Sequence, residues 1–198
     1  MVMNDFYLHP KVESKLKQVI FGDLVSKKYG LLYKNHTLKL IELIKKFSTE
    51  LNIESSDTKV LLASAYGLHW GCANLFTSSD SHFDNPFRHH SGCLRLASSK
   101  IERFLYYHAS KYFSQKEILR VIKTIEDQSL QLFDERSLSS ILFEATIISW
   151  AEMIIYQEFE RISSHTKIEL TKVGKSFLLE EQEKLKSSLL KQMIQKIW

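Results

Sequence analysis

Breaks are scarce in this chain. Two prolines and six glycines are all that interrupt 198 residues. Proline and glycine are the strongest local interrupters of a helix, so the sequence favours long helices. The apolar spacing agrees. Leu40, Ile44, Phe47 and Leu51 step by 4, 3 and 4, and Leu94, Ala97, Ile101, Phe104 and His108 step by 3, 4, 3 and 4. Both are stripes on one helical face. The fold class predicted is all-α, a single-domain helical bundle spanning residues 1–198.

Individual elements can be placed. Ser114-Gln115-Lys116-Glu117 reads as a capping box, opening a helix through Ile118, Val121, Ile122 and Ile125. The stretch from Val60 to Leu68 is apolar almost all round, which predicts a central, buried helix. Residues 77–88, with Ser78-Ser79-Asp80-Ser81 and Asp84-Asn85-Pro86, form the one clear loop. A long apolar helix over 137–161 carries Ile141, Leu142, Ala145, Ile148, Ile155 and Phe159. Residues 167–174 read as a break. A last helix over about 175–198 puts Leu178, Leu185, Leu189, Met193 and Ile197 on one stripe. Docking on the core is the first role for that stripe, a homodimer through the C-terminal helix the second and a membrane surface the third.

Composition excludes some classes. Apolar residues make up 44% and charged residues 25%, which is globular usage with enough material for a sizeable core. The net charge of +4 comes from lysines that are scattered, so nucleic-acid binding is not demanded. Cys72 and Cys93 have neither metal-knuckle nor disulfide spacing and read as small buried thiols. Residues 1–10 lack the apolar core of a signal peptide, and no uncharged run reaches membrane-spanning length, so the expectation is a cytoplasmic protein with no membrane partner.

Four short segments carry the chemistry: Asn35-His36, Leu68-His69-Trp70, Arg88-His89-His90 and Trp150-Ala151-Glu152. Glu152 lies 4, 7 and 11 residues after Ile148, Ala145 and Ile141, on their face, where a carboxylate must be neutral, paired or bound to a cation. The plainer reading is a salt bridge or a helix edge. His69 ends the most apolar helix, where a backbone hydrogen bond is the plainer reading. His36 near a helix start could be an ordinary first-turn polar residue. Taken together, neutral imidazoles and a carboxylate from separate helices suit a divalent transition metal such as manganese, iron or zinc.

The order of these segments resembles the HD-domain superfamily of metal-dependent phosphohydrolases over about residues 33–161. His36 is similar to the family's first histidine. Leu68-His69-Trp70-Gly71 is similar to the stretch ending in its His-Asp pair, with Trp70 in place of the acid. Arg88-His89-His90-Ser91-Gly92 resembles the segment opening the next helix. Glu144-Ala145-Thr146-Ile147-Ile148-Ser149-Trp150-Ala151-Glu152 resembles the stretch with the late Asp. Asp127 or Gln128 stands where another histidine often occurs.

The resemblance implies one metal at most, on His36, His69 and Glu152. His90 and Arg88 would be catalytic groups, and Arg95 a phosphate contact. Trp offers no ligand atom, so the site is degraded. Trp70 and Trp150 would then line the old pocket and stack on a ligand, although core filling is the plainer role for each. The function implied is a non-hydrolytic or weakly active binding or regulatory module for a nucleotide or other phosphorylated ligand. The alternative is an active single-metal phosphohydrolase on a small phosphoester. A third reading rests on Arg103-Phe104-Leu105-Tyr106-Tyr107-His108, whose Arg-to-His spacing resembles a HEPN-type helical ribonuclease, with Phe104 departing from its pattern.

Overall fold

Pro10 opens the first helix, where its missing N–H costs nothing. The His9 side chain accepts from the Lys11 N–H as the cap. In the computed structural model α1 (Pro10–Leu16) runs through a π-helical stretch (Lys17–Phe21) into α2 (Gly22–Val25), forming one N-terminal rod. Val12, Leu16, Ile20 and Leu24, four residues apart, are all buried. In a regular α-helix such spacing drifts by about 40° per step. The wider π turn offsets that drift and keeps the stripe facing the core. The structure describes residues 7–27, 30–72, 91–129, 137–151, 172–177, 179, 180 and 183. The 77–88 loop lies outside them.

The rod meets α3 (Gly30–Glu50) at a glycine. A Cβ on Gly30 would stand 1.6 Å from the Leu24 carbonyl oxygen, so no other residue fits this approach. Helix α3 begins six residues before His36, which places that histidine inside the helix and not in its first turn. Leu40, Ile44 and Phe47 are buried, whereas Leu51 lies in the turn beyond the helix and is partly exposed. Asn52 takes a left-handed conformation (φ 50°) and the Ile53 N–H returns to the Ser48 carbonyl, closing the helix with a Schellman-type turn.

Helix α4 (Ser55–Cys72) is the axis of the fold and packs against α3, α5 (Ser91–His108), α6 (Gln115–Glu126) and α7 (Leu138–Ala151). Every residue from Val60 to Leu68 is buried, as the all-round apolar run predicts. Its closest approach is to α5. There Gly71 leaves room for backbone: an added Cβ would lie 2.2 Å from the Cys93 oxygen and 2.4 Å from the Ala97 nitrogen. Leu94, Ala97, Ile101 and Phe104 of α5 are buried. His108, the last step of that stripe, is exposed, and its ring rests on Phe104 at 5.2 Å.

The Ser114–Glu117 capping box forms with both hydrogen bonds and starts α6. A short 3-10 turn (Asp127–Ser129) follows. Helix α7 buries Ile141, Leu142, Ala145 and Ile148, and with them the polar Ser140, Glu144, Thr146 and Ser149. Residues 172–177 are helical, so the break expected over 167–174 does not include 172–174, and its first part lies outside the described residues. Phe177 from this last segment is buried edge-to-face on Phe47 at 4.9 Å, docking it on α3.

Among the described residues all regular structure is helical, with no strand. No helix among them is long and apolar enough to cross a membrane.

Candidate functional site

Three polar side chains meet in the interior, each from a different helix. His36 of α3, His69 of α4 and Ser149 of α7 are all 0% exposed. His36 Nδ1 and His69 Nε2 are 2.5 Å apart. On its other side, His36 Nε2 is 2.5 Å from Ser149 Oγ, which in turn donates to the Thr146 carbonyl at 2.7 Å. The Tyr33 ring lies against His69 at 5.4 Å.

Local sequence explains the placement. His36 sits one turn after Tyr33 and one before Leu40, on the buried face of α3. His69 follows Leu68 on a helix buried all round. Ser149 follows Ile148 on another such helix, where any polar side chain must find its partner inside the protein.

The donor set tests whether a metal fits. Two metal–nitrogen bonds of about 2.0–2.1 Å at right angles or wider put their nitrogens about 3 Å or more apart. The observed pair is in direct contact and closer than that, so the rings would have to part to admit a cation. Among the described residues no three His, Cys, Asp or Glu side chains gather as a ligand group. Glu152, named with these histidines as a ligand, lies outside the described residues, and so do His90 and Arg88. By themselves the described donors do not make a metal centre.

Trp70, next to His69, turns to a different neighbour. Its Nε1–H donates to Asp23 Oδ2 at 2.7 Å, and Lys100 donates to the same oxygen at 2.8 Å. The Lys100 ammonium also lies over the indole, 5.2 Å from its centroid, and Phe104 meets the ring edge-on. Burial would raise the Asp23 carboxyl, but the hydrogen bonds from Lys100 and Trp70 outweigh it and hold the group below its usual range. Trp70 thus ties α2 to α4 and α5. Glu13 does the same farther along the rod, accepting from the Tyr66 hydroxyl at 3.0 Å.

The other candidates are dispersed. Arg95 is exposed on α5. Trp150 lies on α7, with its side chain outside the described residues. Gln128 is buried and donates to the Thr124 and Ser139 carbonyls, and Asp127 pairs with Lys123. Arg103 and His108 are both exposed on α5, away from the buried histidine pair. Comparison of the chain with protein-family models, with curated proteins and with solved structures finds no match in any of the three. The geometry therefore carries the functional argument.

Sequence reasoning missed Ser149 and Asp23. Ser149 could have been found as a hydroxyl one turn before Glu152 on the helix that carries it. Asp23 carries no periodic signal, since it meets Trp70 across 47 positions of chain.

Proposed function

We propose that this chain is an HD-like helical domain with a degraded metal site, working as a binding or regulatory module for a nucleotide or other phosphorylated ligand. The direct hydrogen bond between His36 and His69 carries this reading. Two imidazoles from separate helices converge at one buried point and contact each other directly. The engagement of Trp70 with Asp23 supports it further, because the residue that follows His69 offers no ligand atom and is tied to the N-terminal rod. Arg88 and His90 would meet the phosphate, with Arg95 at the rim.

Calorimetric titration with nucleotides and small phosphoesters, alongside metal analysis after exposure to manganese, iron or zinc, tests this. Ligand binding without stoichiometric metal or turnover is the expected result. Silence toward every phosphorylated compound would remove the reading.

The convergence of His36 and His69 also favours a second reading, a single-metal phosphohydrolase completed by Glu152. Stoichiometric metal together with phosphoester hydrolysis would establish it in place of the first.

A further inference from the structure

For neutral imidazoles, the contacts of Ser149 set the direction of the hydrogen-bond chain in the interior. Ser149 has a single hydroxyl proton and two short contacts. The Thr146 carbonyl, 2.7 Å away, can only accept. Were the proton given to His36 Nε2 instead, two oxygen lone pairs would face each other at that distance with nothing between them. The serine therefore donates to Thr146 and accepts from His36 Nε2–H. With both rings neutral, His36 then accepts at Nδ1, and its neighbour His69 Nε2 carries the proton between them. The direction runs from α4 to α3 to α7, ending on the α7 backbone.

From this we infer that Ser149 is a positioning residue for the histidine pair: it fixes the tautomer of His36 so that a proton on His69 Nε2 fills the point where a bridging cation would bind. The inference deepens the degraded-site reading and rests on it only for its metal arm. The ring nitrogens of a metal-ligating histidine are set in this same way, by what the far nitrogen donates to. Here the serine prepares His36 Nδ1 as an acceptor, while His69 offers the wrong tautomer for a ligand. A cation could enter only if His69 moved its proton to Nδ1 and the two rings parted.

Nitrogen-15 NMR of the histidine-labelled full-length protein reads the tautomers directly. The expected result is protonated Nε2 and bare Nδ1 on both His36 and His69. Ser149→Ala should convert His36 to a mixture of tautomers, and Ser149→Thr, which keeps the hydroxyl, should restore the single form. Protonated Nδ1 on His36 in the unaltered protein would overturn the proposal, and that measurement needs no variant to fold. In the metal arm, zinc titrated into the unaltered protein should leave the His36 and His69 signals in place. Their replacement by metal-bound signals at stoichiometric zinc would overturn the proton-filled site while leaving the tautomer of His36 established by the metal-free spectrum. Loss of phosphorylated-ligand binding alone would instead count against the functional reading and not against this one.

Discussion

The Trp70 indole nitrogen donates to the Asp23 carboxylate at 2.7 Å, so the side chain following His69 faces the N-terminal rod while His69 itself faces α3. Adjacent residues on a helix point about 100° apart, and here that angle separates the histidine pair from a structural tether. Trp70 thus holds α2 against α4 and α5.

An acid at position 70 should therefore destabilise the protein. Trp70→Asp would remove a large buried side chain and set a second carboxylate beside Asp23. A loss of more than about 3 kcal/mol is expected from the burial alone. Adding Asp23→Asn should recover part of it by removing the like charge. Trp70→Phe, which keeps most of the ring, should cost about 1 kcal/mol beyond packing, since Asp23 is a third exposed and keeps Lys100. Urea unfolding of the four proteins checks the order, and equal stability of Trp70→Asp and Trp70→Phe would refute it.

Gly71→Ala tests the α4–α5 contact. The new Cβ would meet backbone atoms of Cys93 and Ala97, which cannot rotate away. The helices must separate, at a cost of about 3 kcal/mol. Thermal unfolding should show a drop of several degrees, and an unchanged midpoint would mean that the two helices are not packed this closely.

His36 and His69 should be energetically coupled. Replacing either by Ala strands a buried polar partner and opens a cavity, for about 3 kcal/mol each. The double replacement should cost less than the sum by about 1 kcal/mol, because the second change removes a group already stranded. A double-mutant cycle in urea measures this, and strict additivity would mean no direct interaction.

Stability should decline on acidification. For Glu13, burial would raise the carboxyl, but hydrogen bonds from Lys17 and Tyr66 hold it below its usual 4.5. For Glu117, burial is likewise outweighed by Lys59 and Ser114, and Asp23 lies below its usual 3.8. Such groups stay ionised in the folded protein after they have begun to protonate in the unfolded chain. Their stabilisation is complete above the unfolded values and is lost as the pH falls through the lower folded ones. Glu13→Gln should flatten part of this acid limb in denaturation midpoints taken from pH 6 to about 2; an unaltered limb would contradict the assignment.

At the alkaline end the sign reverses. Burial, with the Glu13 charge and hydrogen bond behind it, raises the Tyr66 phenol far above its usual 10.0. An unfolded tyrosine ionises first, so stability should fall as the pH climbs past that value. Tyr66→Phe should remove this slope, and its persistence in that variant would assign it to another group.

Much of the fold was legible because helix periodicity is a local property. The stripes of α3 and α5, the buried run of α4 and the Ser114–Glu117 box each follow from residues within a few positions of one another. The N-terminal rod was not read, because its stripe is spaced by four throughout and stays on one face only through a π turn. His36 could be singled out by type, but its depth could not. The helix start that decides it lies at Gly30, where the constraint is the Leu24 carbonyl.

The sequence by itself determined that this chain forms helices and which faces of them go inside, because burial of apolar side chains at helical spacing leaves little choice. Only the tertiary structure decided which polar groups meet there. His36, His69 and Ser149 share a point because three helices cross at it, and Trp70 reaches Asp23 because the rod lies alongside α4. A buried polar group must be satisfied by whichever neighbour packing supplies, and that neighbour can stand anywhere along the chain.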